Sequence, residues 1–239
     1  MRRTKERARI EVYKVAKTYE AIASAFSETR RFPWKVMLDH IGDVSGKLVL
    51  DVGCGSGRHL IELAKTASLA VGIDISQSLV KLAKLQVVRL KLADKVMLVV
   101  GDMLFMPFRA SSFDVILCIA TIHHVPTHEL RRRAVSEMLS TMKAGGLILV
   151  SAWYRWQKRL IFRLLKGALM KMMGMVFELG DTYIPWRTRE GIHMRFYHLF
   201  TVREMRRLLD TEHLKIENLR VLKIGRRGWK NVVALATKR

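Results

Sequence analysis

Residues 48–57 read Leu-Val-Leu-Asp-Val-Gly-Cys-Gly-Ser-Gly, and few folds accommodate such a stretch. Leu48, Val49 and Leu50 are apolar without alternation, as in a strand buried on both faces of a parallel sheet. Asp51 follows, and then Gly53, Gly55 and Gly57 stand at alternate positions. Residues 58–65 read as the start of a helix, with Leu60, Ile61, Leu63 and Ala64 on a broad apolar face. A strand, a glycine turn and a helix N-terminus together make a crevice for a ligand. The glycines permit positive φ and lack the Cβ atoms that would hold a ligand off the backbone.

A dinucleotide fingerprint, Gly-x-Gly-x-x-Gly, needs its third glycine at position 58, which here is Arg58. The actual spacing, Asp-x-Gly-x-Gly-x-Gly, resembles the first motif of class I S-adenosylmethionine (SAM) methyltransferases. SAM offers no pyrophosphate but carries an ammonium, which Asp51 can approach. Asp74 ends the next apolar run, 69–73, where an acid can accept from both ribose hydroxyls. Asp102 follows a third such run. In the methyltransferase pattern Asp102 and Met103 hold the adenine, by its amino group and by packing.

A chain of 239 residues with 50% hydrophobic content is long enough for one α/β domain with a sizeable core. The expected fold is Rossmann-like: a seven-stranded, mostly parallel sheet with helices on both faces. Residues 1–239 form one domain in this reading, with 1–45 as a helical cap and 153–200 as an inserted substrate-recognition region. The formal net charge is +22 and the pI about 10.6, which favours polyanions, nucleic acid before anionic membrane. A thermophile's solvated surface is the alternative, since Asn218 and Asn231 are the only asparagines. Cys54 and Cys118 both fall in the expected core, which points to a reducing cytoplasm rather than a disulfide framework. No four-ligand metal spacing is present. Met1-Arg2-Arg3 is basic but no apolar stretch follows, and no run approaches the ~20 residues of a membrane span.

Along the chain, residues 7–25 read as a helix that ends before Pro33. In methyltransferases such a helix commonly lies over the crevice mouth, which would bring Arg30 and Trp34 to cofactor or substrate; a docking segment with an ordinary core Trp is the equal alternative. Ser76 caps a helix over 77–92, with Leu79, Leu82, Ala83 and Leu90 facing in. Residues 95–101 form the third strand and the sheet edge. Its apolar run from Val96 to Val100 needs a cover, which a strand-adding partner or the following loop would supply. The fourth strand, 113–119, leads to Ala120-Thr121-Ile122-His123-His124 at the end where open α/β sheets place chemistry. There is no Asn/Asp-Pro-Pro-aromatic motif for an exocyclic amine and no catalytic cysteine there. His123 and His124 therefore read as positioning groups or pocket walls. A helix over 127–142 buries Leu130, Ala134, Val135, Met138 and Leu139 and carries Arg131, Arg132 and Arg133 away from most of that face, as a solvated run or a phosphate contact. Gly145-Gly146 ends it, and 147–150 is the fifth strand. Residues 153–179 read as a basic amphipathic helix that can lie on a membrane, bind RNA phosphates or pack as a lid. Thr201 to Glu204 is a capping box. The last two strands, 213–222 and 231–237, are joined by a basic turn, Arg226-Arg227-Gly228-Trp229.

Four blocks carry a closer resemblance. The first is Tyr19-x-x-Ile22-Ala23-x-x-Phe26-Ser27-x-Thr29-Arg30-x-x-Pro33-Trp34. The second is residues 51–57. The third is Ile119-Ala120-Thr121-Ile122-His123-His124 with Arg131-Arg132. The fourth is Ile184-Pro185-Trp186 with Tyr197-His198-Leu199-Phe200. With these the chain resembles the tRNA wobble-uridine carboxymethyl methyltransferases, although residues 153–180 match nothing in that family. The resemblance implies SAM-dependent esterification of 5-carboxymethyluridine in the tRNA anticodon loop. It also implies a small zinc-binding activator protein as partner, which would suit the edge strand 95–101. Cofactor contacts are expected from Asp51, Gly53, Gly55, Gly57, Asp74, Ile75, Asp102, Met103, Ile119 and His123. Arg30, His124, Arg195, Tyr197 and His198 are expected around the carboxymethyl group. Trp34, Arg131, Arg132 and Trp186 are expected to bind substrate, with Trp186 and Tyr197 stacking on a splayed base. A small-molecule methyltransferase acting on a quinone or lipid at a membrane surface is the competing function.

Overall fold

The computed structural model describes residues 2–225 and 228–239, with side chains from residue 4. Met1 and the Arg226-Arg227 pair of the expected basic turn lie outside the described residues. The seven-stranded sheet has the order β3-β2-β1-β4-β5-β9-β8. Its strands are β1 (Leu48–Val52), β2 (Leu69–Asp74), β3 (Val96–Val100), β4 (Phe113–Ile119), β5 (Met142–Trp153), β8 (Leu214–Ile224) and β9 (Trp229–Lys238). The first five run parallel, and β9 enters antiparallel between β5 and β8. The short connection from β8 to β9 permits only a hairpin, and so introduces the antiparallel pair. Continuous apolar sequence in β1, β2 and β4 is explained by layers on both faces. Leu50, Val52 and Ile116 belong to one buried cluster, and Val49, Val115 and Leu117 to another on the other face.

The helices are α1 (Arg2–Thr29), α2 (Lys35–Leu38), α3 (Arg58–Ala64), α4 (Gln77–Arg89), α5 (His128–Thr141), α6 (Ile161–Met172) and α7 (Val202–Leu209). The cap helix α1 is longer than its apolar pattern predicts. Its basic first turns contain no breaker, and Pro33 lies beyond its end. Tyr19, Ile22 and Ala23 bury against Leu79 of α4 and Phe196. Glu20 accepts hydrogen bonds from the Ser76 hydroxyl (2.7 Å) and from both the amide and hydroxyl of Ser78, tying α1 to the start of α4. Ser76 caps α4 as expected, accepting from Leu79 N at 3.2 Å. The reciprocal Thr201–Glu204 box opens α7. Helix α4 stops at Arg89, so Leu90 is solvent-exposed rather than inward-facing.

Three further element boundaries differ from the sequence reading. Helix α5 ends at Thr141, and Gly145 and Gly146 lie inside β5 instead of closing the helix. Strand β5 runs on to Trp153, which pairs with Asn231 of β9. The expected helix over 153–179 is therefore only the twelve residues of α6, preceded by a short 3₁₀ turn at Lys158–Leu160. A second, two-stranded sheet, β6 (Asp181–Arg187) with β7 (Ile192–His198), lies between α1 and α6, with Ile184 opposite Arg195 and Trp186 opposite His193. Edge strand β3 leaves Met97 and Val100 about half exposed, as its position predicts.

Candidate active site

The carboxyl ends of β1, β2 and β4, α1 and the β6–β7 hairpin enclose a crevice of ≈ 820 Å³. The glycine turn forms one wall. Gly53 sits at φ +75°, and a Cβ there would lie 2.1 Å from Thr121 Cγ2, so backbone conformation and space both require glycine. Asp74 Oδ2 accepts from Gly55 N at 2.8 Å and its Oδ1 from Ser76 N at 2.9 Å, which braces the turn. Burial raises the Asp74 carboxyl above its usual range against those hydrogen bonds. Ile75, Asp102, Met103, Ile119 and His123 line the same crevice.

Asp51, 1% exposed near the end of β1, has an Oδ2 with no hydrogen-bond partner. Burial, and then the charge of Asp74, push its carboxyl up to about 7. A buried, unsatisfied carboxylate oxygen beside a glycine turn has the chemistry to receive an ammonium. The residues present thus fit SAM.

The opposite wall is built from α1, the turn after β4 and β7. Ala120 adopts φ +54° between β4 and Thr121, a strained conformation for a residue with a Cβ. His123 and His124 follow in a 3₁₀ turn. His123 Nδ1 accepts from Trp153 N at 3.2 Å, leaving the proton on Nε2, and the ring stacks on Tyr197 (4.6 Å, 19°). His124 Nδ1 donates to the Phe196 carbonyl at 2.8 Å, and its Nε2 accepts from the Tyr19 hydroxyl at 2.7 Å. Burial holds both rings neutral, His124 at about 3. Burial, joined by Tyr197, keeps the Tyr19 hydroxyl protonated.

Arg195 donates through Nη1 to Tyr197 Oη at 2.8 Å and lies over the Trp186 ring (4.7 Å). It is 5% exposed, and its Nε is buried without a hydrogen-bond partner. Arg30 lies over the rings of Phe26 and Trp186, both at 5.7 Å. Trp34 packs edge-on to His59 and under the Arg58 guanidinium (4.3 Å).

A methyltransferase domain family matches residues 50–150. A Methanosarcina mazei SAM-dependent methyltransferase has the same fold, with a TM-score of 0.73 at 24% identity over 87% of this chain and 98% of that one. Residues 50–150 thus match a methyltransferase domain, and the chain has the fold of class I SAM-dependent methyltransferases. The chain is similar to tRNA (carboxymethyluridine(34)-5-O)-methyltransferases. The Xenopus tropicalis protein of that name is 36% identical over 140 residues, covering 58% of this chain and 21% of that protein. The Schizosaccharomyces pombe protein is 29% identical over 220 residues, covering 82% and 86%. The chain spans 21–33% of the length of the first curated relatives it matches. Another solved neighbour is the Haloferax volcanii methyltransferase in complex with the Trm112 methyltransferase activator (TM-score 0.68, 16% identity, 94% and 97% covered).

The fold brings Arg30, Trp34, His123, His124, Trp186, Arg195 and Tyr197 together on the crevice wall with Gly53, Gly55, Asp74, Ile75, Asp102, Met103 and Ile119. Asp51 and Gly57 are not on that wall, and Gly57 instead caps α3 in a left-handed conformation. Three expected residues are placed elsewhere. His198 is adjacent to Tyr197 in β7, so the period of two sends it to the other face, where it bonds Asp181 (2.7 Å). Arg131 is 2% exposed and pairs with Glu178; Arg132 donates to the Asp210 carbonyl. Arg131 stands three and four residues before Ala134 and Val135, so helical spacing already assigns it to the buried face. Glu178, Asp181 and His198 are the one trio among the described residues with metal-compatible spacing. Their oxygens are occupied by Arg131, His198 and the amides of His128, Phe177 and Glu178, so the trio is a hydrogen-bonded brace. Tyr19 and Arg58 are site residues the sequence reading assigned no role. Arg58 is the residue that breaks the dinucleotide spacing, which was the available signal.

Among the described residues, no helix is long and apolar enough to cross a membrane.

Proposed function

We propose that this methyltransferase esterifies the carboxylate of 5-carboxymethyluridine at the tRNA wobble position. The observation that carries the reading is the similarity to enzymes of that name, beside a crevice wall that holds Arg30, His124, Trp186 and Tyr197. Bound SAM supplies a methyl group on a positively charged sulfur. The substrate carboxylate is ionised at neutral pH, so no side chain has to remove a proton. The protein's contribution is orientation and exclusion of water.

In this reading Arg195 offers its unpartnered Nε to the carboxylate, with Arg30 as the second cation. Trp186 gives the splayed uracil a stacking surface, and Tyr197 is held by His123 on one face and Arg195 at its hydroxyl. The net charge of +22 suits the anticodon-loop backbone. A small zinc-binding activator would cover β3 with its exposed Met97 and Val100, in keeping with the activator complex of the Haloferax volcanii neighbour. Residues 1–239 would act as one domain in the cytoplasm, with 1–45 as cap and 153–200 as substrate-recognition region.

The test is transfer of labelled methyl from SAM to bulk tRNA, with and without such an activator, followed by nucleoside mass analysis. An alkali-labile methyl on carboxymethyluridine is expected. Transfer to another nucleoside, or SAM binding with no transfer to tRNA, would discard the wobble assignment. Full activity of the chain alone would remove the activator from the proposal.

A further inference from the structure

Helix α6 exposes its apolar side. Phe162 is 86% exposed, Leu165 64%, Leu169 56% and Met172 85%. Their spacing of three, four and three residues sets them in a single stripe along one face. The opposite face is the one that packs on β6. Gly167 lies so close to that strand that a Cβ would come within 2.4 Å of the Asp181 carbonyl oxygen. The packing therefore fixes the apolar stripe outward. Trp156, Ile161, Met173, Met175 and Leu179 extend the exposed apolar surface beyond both ends of the stripe.

Charge around the stripe has one sign. Residues 153–177 contain six Lys and Arg and no Asp or Glu. Arg155 pairs with Glu204 and Arg163 donates to the Tyr183 carbonyl of β6, which leaves Lys158, Arg159, Lys166 and Lys171 to border the stripe. Lys158 and Arg159 stand in the turn before α6, and Lys166 borders the stripe. We propose that this outer face of α6 docks parallel to an anionic lipid surface, with Phe162, Leu165, Leu169 and Met172 in the acyl boundary and the lysines and arginines at the headgroups. A surface helix with aromatic and aliphatic residues on one side and Lys/Arg at its margins fits that interface. The long basic side chains reach headgroup level from helix flanks.

Other occupants match the surface less well. A second copy would bring two strongly basic surfaces together. Single-stranded RNA takes aromatic platforms and hydrogen-bonding groups, and three of the four stripe residues are aliphatic or thioether. A single convex helix also provides no groove for a partner's side chains. The docking is independent of the proposed tRNA chemistry, because the stripe faces away from the hairpin that carries Trp186 and Arg195.

The test uses the full chain with two vesicle compositions, pure phosphatidylcholine and equimolar phosphatidylcholine with phosphatidylglycerol, read by cosedimentation. Binding to the anionic vesicles alone is expected, with Leu165→Glu/Leu169→Glu lowering the partition coefficient at least ~10-fold. Lys158→Glu/Lys166→Glu should weaken it in the same direction. Thermal unfolding of the variants should match the parent, since all four side chains are solvent-exposed. Absence of binding to anionic vesicles would overturn the proposal, as would binding unchanged in Leu165→Glu/Leu169→Glu. A loss of tRNA binding or of a dimer in that variant, with vesicle binding intact, would assign the face to RNA or to a second copy instead.

Discussion

The Tyr19 hydroxyl stands 2.7 Å from His124 Nε2, joining the cap helix to the turn at the end of β4. The His124 Nδ1 proton is committed to the Phe196 carbonyl, so Nε2 can only accept and Tyr19 must donate. One imidazole thus links α1, β4 and β7, the three elements that carry the proposed substrate-binding wall.

Tyr19→Phe removes the donor and leaves a buried ring nitrogen unpaired. We expect a loss of about 1–3 kcal/mol in denaturant unfolding. Nitrogen-15 spectra of the parent should show His124 as a neutral ring protonated on Nδ1 throughout the neutral range, because burial holds it near 3. A His124 signal that titrates near its ordinary value would overturn the assignment.

With Asp51 as the proposed partner of the SAM ammonium, cofactor affinity is expected to depend on pH. Its carboxyl, raised to about 7 in the empty protein, holds a proton that an incoming ammonium disfavours. An acid raised on folding makes the empty fold less stable as pH climbs from about 4 to about 7, since the folded state binds more protons than the unfolded state. For the same reason SAM binding should tighten roughly tenfold between about pH 6 and about pH 8 and release a proton. Calorimetry in buffers of different ionisation enthalpy measures both. Asp51→Asn should bind weakly with no such slope, and a parent with a flat profile would sink the idea.

Arg195→Met keeps the length of the side chain and removes its charge. The expected outcome is a fall of ~10²–10³ in kcat/KM for tRNA with the dissociation constant for SAM unchanged. Equal losses in both would mean that Arg195 supports the fold of the crevice rather than the substrate.

Glu178→Gln leaves the Arg131 guanidinium, 2% exposed, without its counter-charge. Destabilisation of roughly 3–5 kcal/mol is expected, measured by urea unfolding. If instead tRNA affinity rose with stability intact, Arg131 would be a phosphate ligand after all.

The seven strands of the main sheet, the glycine turn and the acidic residues after successive strands were legible in sequence because they depend on local rules, whereas the β6–β7 pair was not read as strands. An apolar run buried on two faces, a position where only glycine fits and an acid at a strand end each leave their mark within a few residues. Arg30, Trp186 and Tyr197 were found through family resemblance, and tertiary structure gathered them across 168 residues of chain onto one wall. What sequence alone could not decide was which member of a pair points where. Tyr197 and His198 are both polar aromatic neighbours, and only the register of β7 against β6 sends one to the crevice and the other to Asp181. Helical spacing puts Arg131 on the buried face of α5, but only the packed structure supplies the Glu178 partner, 47 residues away, that makes its burial tolerable. Amphipathic spacing in 153–179 predicted a helix but not its length or its outward apolar face. Those followed from Trp153 completing β5 against Asn231 and from Gly167 resting on Asp181. Local periodicity reports which residues share a face; only the packed neighbours determine what that face meets.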